Sequence, residues 1–452
     1  MTAEIGRIYV TEVRPSDAKV SECLMSTRRE VLALASGAAL AAAAAPQAAA
    51  ASAAGRDDAN DKRWVATWAA APTTIPPGPP LTLSDQTVRH VVHTSVGGDQ
   101  IRIRLSNEFG TGPLRIGEVR VAVREGAGAS TDAVPGTDRR VTFGGRTSVT
   151  APAGAPLVSD PVRLAIKGGA DLVVSIYLPM STPVTTLAAF AFQDNVIATG
   201  NVTAARRVTP VQTVGQFLFL SGVSVHARTS SIVTLGDSIT NGANTETNAN
   251  HRWPDLLAAR LRAARLERGV ANVGISGNRL LHDPNPPAGS AAEAFAAYFG
   301  HSALRRFDRD VVAQPGAAYL VVLLGVNDLG HPGTVAPPDE VVSAEDLIWG
   351  HRQLIGRAHQ AGLRAYGATV LPFKDDTLGF YTPENERKRA ALNHWIRTSG
   401  EYDGVIDFDR AVRDPADPLR LAAAFDSGDH LHPNDAGMAA MAAAVPLGLF
   451  RK

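Results

Sequence analysis

The stretch Ser231-Ile232-Val233-Thr234-Leu235-Gly236-Asp237-Ser238-Ile239-Thr240-Asn241 decides how the chain is read. Apolar and β-branched residues run straight into Gly-Asp-Ser, and a polar loop follows. A short apolar run closed by Gly reads as a buried strand. Gly236 permits a sharp turn at the strand's end. A serine just past that turn stands at the carboxyl edge of the sheet, where open α/β sheets bind ligands. Ser238 is therefore a candidate nucleophile. Alone, the tripeptide also fits an ordinary turn serine, and the rest of the sequence has to decide.

Downstream, over residues 229–452, strands and helices alternate. Trp253 to Leu266 is helix-like, with Leu256, Leu257 and Leu261 on one side, and Val270 to Ile275 reads as a strand. Tyr319 to Gly325 is a continuous apolar run, as expected of a strand covered on both faces. Ala344 to Gln360 is helical, with Gly362 fitting its carboxyl cap. Leu363 to Val370 and Val405 to Phe408 add strands, and an Ala-rich helix follows Pro433. Repeated β–α units predict a parallel sheet with helices on both faces.

Upstream, over residues 62–228, Gly and Pro punctuate short alternating runs: Val88 to Val92, Ile101 to Leu105, Val119 to Val123, Leu172 to Leu178 and Phe217 to Val225. Period-two alternation with regular turns predicts an antiparallel sandwich or jelly roll. The boundary falls near His226 to Ser230. Trp64, Trp68, Phe109 and Phe192 read as core or interdomain packing, with carbohydrate stacking as the alternative.

A chain of 452 residues exceeds one ordinary core, which suggests two folded domains. Lys+Arg and Asp+Glu both number 44, and this zero net charge argues against nucleic-acid binding. Cys23 is the single cysteine, so neither an internal disulfide nor a cysteine zinc site can form. Met25-Ser26-Thr27-Arg28-Arg29 precedes an apolar stretch from Val31 to Ala45 and small residues from Ala48 to Ala54. That order predicts a secretory signal peptide over residues 25–54, and Arg28-Arg29 suggests the bacterial twin-arginine route. Residues 1–24 then read as a non-native or disordered extension, and the mature protein is expected outside the cell without stable membrane insertion. The apolar core is short for a retained membrane anchor.

Three further blocks fall at the ends of predicted strands or in loops. They are Asn272-Val273-Gly274-Ile275-Ser276-Gly277-Asn278, Gly325-Val326-Asn327-Asp328 and Asp429-His430-Leu431-His432-Pro433. With Gly236-Asp237-Ser238 they resemble, in order, the four signature blocks of the GDSL or SGNH hydrolases. That resemblance implies a three-layer, flavodoxin-like α/β domain with a parallel sheet, here preceded by an all-β, sandwich- or jelly-roll-like domain. It implies a serine esterase that hydrolyses carboxylic esters; with the signal segment, a secreted enzyme is expected, and no metal or cofactor is expected.

The residue types suit that chemistry. A serine hydroxyl is a weak nucleophile until a base takes its proton. His432 is the candidate base, since a free imidazole titrates near a pKa of about 6.5. Asp429 can accept from the other ring nitrogen and fix the tautomer. Without the other blocks, His432 would pass for a surface histidine and Asp429 for a helix cap. The resemblance assigns the oxyanion donors to the N–H of Ser238, the N–H of Gly277 and the amide of Asn327, with Gly274 as the rival to Gly277. Asp237 is expected to order the nucleophile loop. A metal reading would have to use Asp429, His430 and His432 with His282 or His301, and no His-Glu-x-x-His occurs. The α/β-hydrolase elbow, Gly-x-Ser-x-Gly, is also missing, because Thr240 stands where its second Gly would be.

An acetyl or other short acyl ester is the expected substrate, with acetylated polysaccharide as one candidate. The region opening with Trp64-x-x-x-Trp68 resembles, more loosely, exported actinobacterial SGNH proteins related to acetylxylan-esterase-like enzymes. A lipase or lysophospholipase acting on longer chains is the alternative, and a catalytically dead carbohydrate-binding protein is the alternative of another class. Loops Leu280 to Phe299, His331 to Glu345 and Phe373 to Pro383 should wall the pocket. Leu280, Leu281, Phe295, Tyr298 and Phe299 form an acyl wall or, over Ala294 to Phe299, a packed helix. Oligomeric state is not legible in the sequence.

Overall fold

The computed structural model describes residues 62–451. The extension, the signal segment and Cys23 lie outside the described residues. The described residues form one compact unit containing two kinds of architecture.

The amino-terminal part is all-β. Its main strands are β1 (Arg63–Ala69), β2 (Gln86–His93), β3 (Gly98–Ser106), β4 (Glu118–Glu125), β5 (Asp171–Leu178), β6 (Asn195–Thr199) and β7 (Leu220–Ala227). Among the described residues they build antiparallel sheets of five and seven strands. β7 lies between β1 and β3 in the smaller sheet, and β5 between β2 and β4 in the larger. One apolar cluster fills the space between them, including Val88 and Val92 of β2, Ile101 and Ile103 of β3, and Leu172 and Val174 of β5. These are alternate positions along each strand, as a sheet with one face on a core requires.

The expected strand Phe217 to Val225 is broken. Phe219 takes a left-handed φ of 61° and separates Phe217–Leu218 from β7. Trp68 packs edge-on against Phe217, and Arg102 lies over Trp64, so these tryptophans are packing residues.

The carboxy-terminal part holds five parallel strands, β8 (Ser231–Gly236), β9 (Gly269–Asn272), β10 (Ala317–Leu323), β11 (Arg364–Ala368) and β12 (Gly404–Ile406). Their spatial order is β9-β8-β10-β11-β12. The chain leaves β8 for the edge at β9, then crosses back to β10. The direction therefore switches beside β8, and a crevice opens at the carboxyl ends there. In β10, Leu320 and Val322 enter one apolar cluster, and Tyr319, Val321 and Leu323 enter another. Burial on both faces explains the unbroken apolar run.

The helices are α1 (Ser238–Asn241), α2 (Trp253–Ala263), α3 (Ala303–Phe307), α4 (Val326–Gly330), α5 (Ala344–Gln360), α6 (Pro383–Thr398), α7 (Phe408–Val412) and α8 (Asp435–Ala444). α2 stops before Leu266 because Arg265 turns left-handed, φ 55°, and the Leu266 N–H closes on Leu261 O. The strand expected over Val405 to Phe408 ends at Ile406, because Asp407 caps α7 through the Arg410 N–H. β9 ends at Asn272, whose side chain accepts from the Gly274 N–H and donates to Thr240 O. No helix among the described residues is long and apolar enough to cross a membrane.

β1 also reaches across. Its Ala66 and Ala69, with Ala71 beyond it, join the apolar cluster that contains Val233 and Leu320. Ser95 Oγ donates to Thr67 O and accepts from the Val270 N–H of β9.

Candidate active site

Four segments meet in the crevice. Gly236 ends β8 in a space too small for any side chain: a methyl there would lie 2.1 Å from Thr240 Oγ1. Asp237 caps α1 by accepting from the Ile239 N–H at 3.0 Å. Burial is the main force that pushes its carboxyl up to a pKa of about 7. This matches the expected ordering role.

Ser238 Oγ lies 2.8 Å from His432 Nε2, and His432 Nδ1 lies 2.6 Å from Asp429 Oδ2. Asp429 also accepts from the N–H groups of Leu431 and His432, from Asn244 Nδ2 and from Ser427 Oγ. Burial alone would raise its pKa. The His432 contact and the N–H donors outweigh that and hold the carboxyl well below the usual carboxylate range. Asn244 and Ser427 were not singled out from sequence. The one available signal was asparagine in a tight turn, where it adopts φ 63°.

The Asn327 amide sits near the start of α4 and donates one N–H to Asn278 O at 3.0 Å. A carboxamide carries two N–H groups, so a second remains. Gly277 has φ 77°, and a methyl there would lie 2.1 Å from Phe299 Cδ1. The Gly274 N–H is committed to Asn272 Oδ1 at 2.9 Å, which weakens it as the rival donor. Asp328 pins the following loop by accepting from the N–H groups of Leu280 and Leu281.

Residues 234–440 match the model of the GDSL-like lipase/acylhydrolase family. The chain carries a GDSL-like acylhydrolase domain. No curated protein matches the chain. Among solved structures it resembles a GDSL-like lipase from Bacteroides thetaiotaomicron, with 17% identity and a TM-score of 0.34, over 49% of this chain and 87% of that one. A variant of an acetyl xylan esterase from Geobacillus stearothermophilus gives 17% identity and a TM-score of 0.36, over 49% of this chain and 94% of the other. Likenesses this weak say nothing about substrate.

In the GDSL domain the surroundings of Gly277 are aromatic. Phe299 packs on Phe295 and on His331, which in turn meets Phe380. A methyl on Gly330 would lie 2.0 Å from the Phe380 ring. Burial pushes the His331 pKa down to about 3, so the ring is neutral at ordinary pH. Leu280 and Leu281 pack under α5 at Gly350, Leu280 within the core and Leu281 partly buried against it. Residues 296–299 form a short 3₁₀ turn rather than a longer packed helix. The β-rich part contributes to the rim: Asn241 Nδ2 donates to Phe190 O and to Ser276 Oγ, and Phe190 meets Tyr298.

The residues of the metal reading part company. Both ring nitrogens of His432 are engaged, and His430 turns to Asp426. A different trio, Glu246, His251 and Asp435, groups at the start of α8, with His251 bonded to Asp435.

Proposed function

We propose that this ester hydrolase is a secreted serine esterase working through Ser238, His432 and Asp429 on acetyl or other short acyl esters. The unbroken relay from the Ser238 hydroxyl through the His432 ring to the Asp429 carboxylate carries the reading. His432 Nε2 takes the hydroxyl proton as Ser238 Oγ attacks the ester carbonyl. Asp429, held ionised, stabilises the imidazolium that forms. The carbonyl oxygen becomes an oxyanion, met by the N–H groups of Ser238 and Gly277 and by the free amide hydrogen of Asn327. The imidazolium then protonates the leaving alcohol. Water repeats the sequence on the acyl-serine and releases the acid.

The short-acyl reading rests on the resemblance of the region opening with Trp64-x-x-x-Trp68 to acetylxylan-esterase-like proteins. Secretion rests on the signal-like segment at 25–54 and its Arg28-Arg29 pair. Replacing both arginines with lysine should trap precursor inside the cell. For the chemistry, Ser238→Ala should abolish p-nitrophenyl acetate hydrolysis while the protein stays folded. Undiminished turnover would reject the mechanism. A kcat/KM series from two to sixteen acyl carbons, with acetylated xylan alongside, tests the substrate. A maximum at long chains would replace the short-acyl reading with a lipase.

A further inference from the structure

Beneath the site lies a fully buried arginine that the chemistry above does not use. Arg306, on α3, is 1% exposed. Its Nη2 donates to Gly236 O at 3.1 Å, immediately before Asp237 and Ser238. Its Nη1 donates to Val273 O at 2.6 Å, just past the end of β9. Its Nε donates to Asn278 Oδ1 at 3.0 Å, next to Gly277. Asn278 is itself wholly buried, and its carbonyl receives the Asn327 amide. One rigid guanidinium thus touches the chain beside two of the three proposed oxyanion donors, Ser238 and Gly277, and reaches the third, Asn327, through Asn278.

Its charge is balanced from the far side. Asp310 lies 3.2 Å from Arg306 Nη1 and is also gripped by Arg309. Arg309 continues into the β-rich part, donating to Pro72 O and approaching Glu108 at 3.6 Å. Isolating a guanidinium from water is costly unless every donor is used. A purely apolar filler would hold volume here but would not bond three chain segments at fixed angles. Lysine would offer one point charge in place of a planar fork.

We propose that Arg306 is a positioning residue for the oxyanion hole, clamping the ends of β8 and β9 and the Asn278 turn so that the Ser238, Gly277 and Asn327 donors converge. The proposal rests on the serine-esterase reading above. Deleting one oxyanion donor outright costs roughly 10²–10³ in turnover, and misaiming donors costs less.

The test compares Arg306→Met and Arg306→Lys with unmodified protein. It measures kcat and KM on p-nitrophenyl acetate, inhibition by phenylboronic acid, which forms a tetrahedral adduct on the serine, and the thermal midpoint. The expected result is a fall in kcat of about 10- to 100-fold for Arg306→Met. KM should stay within a few-fold, boronate affinity should fall in step with kcat, and Arg306→Lys should recover part of both. A folded Arg306→Met protein with unchanged kcat and boronate affinity, and only a lower thermal midpoint, overturns the proposal. If neither variant folds, Asp310→Asn, which leaves Arg306 in place but loosens its anchor, takes over. A several-fold drop in kcat and boronate affinity supports the proposal, and no change in either overturns it. Failure of the esterase reading is separable, because unmodified protein would then be inactive or Ser238→Ala fully active.

Discussion

Asp429 shows how much one residue depends on its setting. It braces His432 while its two oxygens accept from five donors. Asp429→Asn keeps the shape but offers an N–H where the ring needs an acceptor, so the wrong tautomer is favoured. Loss of the bracing aspartate in this way costs about 10⁴ in turnover in the serine-protease precedent. A fall in kcat of roughly 10²–10⁴ with little change in KM is expected for this protein. Steady-state kinetics decide it, and a variant within twofold of the parent would remove Asp429 from the proposed triad.

At the scale of the element, α1 is a single turn that cannot stand alone, since isolated short helices are unstable. Asp237 is the device that starts it. Burial raises its folded pKa to about 7 from an ordinary value of 3.8. Below about 3.8 both folded and unfolded chains carry the proton, and the group is neutral to stability. Between about 3.8 and 7 the folded chain holds a proton that the unfolded chain has lost, so this group's contribution falls as pH rises. Asp237→Asn retains an amide oxygen to cap Ile239 and has no proton to lose. Its stability relative to the parent should climb across that window and level off above it. Denaturant melts of both proteins at several pH values check this, and a constant difference would contradict the assignment.

Across the whole molecule the opposite sign prevails. His90 in the β-rich part and His351 on the buried face of α5 are pushed down to pKa values of about 4 by burial, and His331 at the site to about 3. Above about 6.5 these rings are neutral whether folded or not. As pH falls below that, the unfolded chain gains protons that the folded chain refuses, and stability is lost. Asp237 and Asp328, which burial pushes up, work the other way, but these three histidines together with His301, which burial also pushes down, outweigh them, so the unfolding midpoint should be lower at pH 5 than at pH 7.5. Equal midpoints would mean that the rings are not sealed from water.

The α/β class, the alternating strands and helices, and the order of the four blocks were legible because periodicity and Gly-bounded apolar runs are local. So was the α5 span, which a capping box at Ser343 and Asp346 fixes from within a few residues. α6 escapes the periodicity argument, which ends a loop at Pro383, although Thr382 and Pro383 are a local start signal. Element ends drifted where a single side chain intervened, as Asp407 and Arg265 do. The residue types proposed as nucleophile, base and brace stand out in the sequence, since chemistry restricts which side chains can serve. Their convergence belongs to the tertiary structure, because Ser238 and His432 meet only through the strand order β9-β8-β10 and the last loop's return. The same holds for Asn244, Arg306 and the alanines of β1 inside the neighbouring core. Their partners lie far away in the chain, and no local pattern encodes a contact made across a sheet.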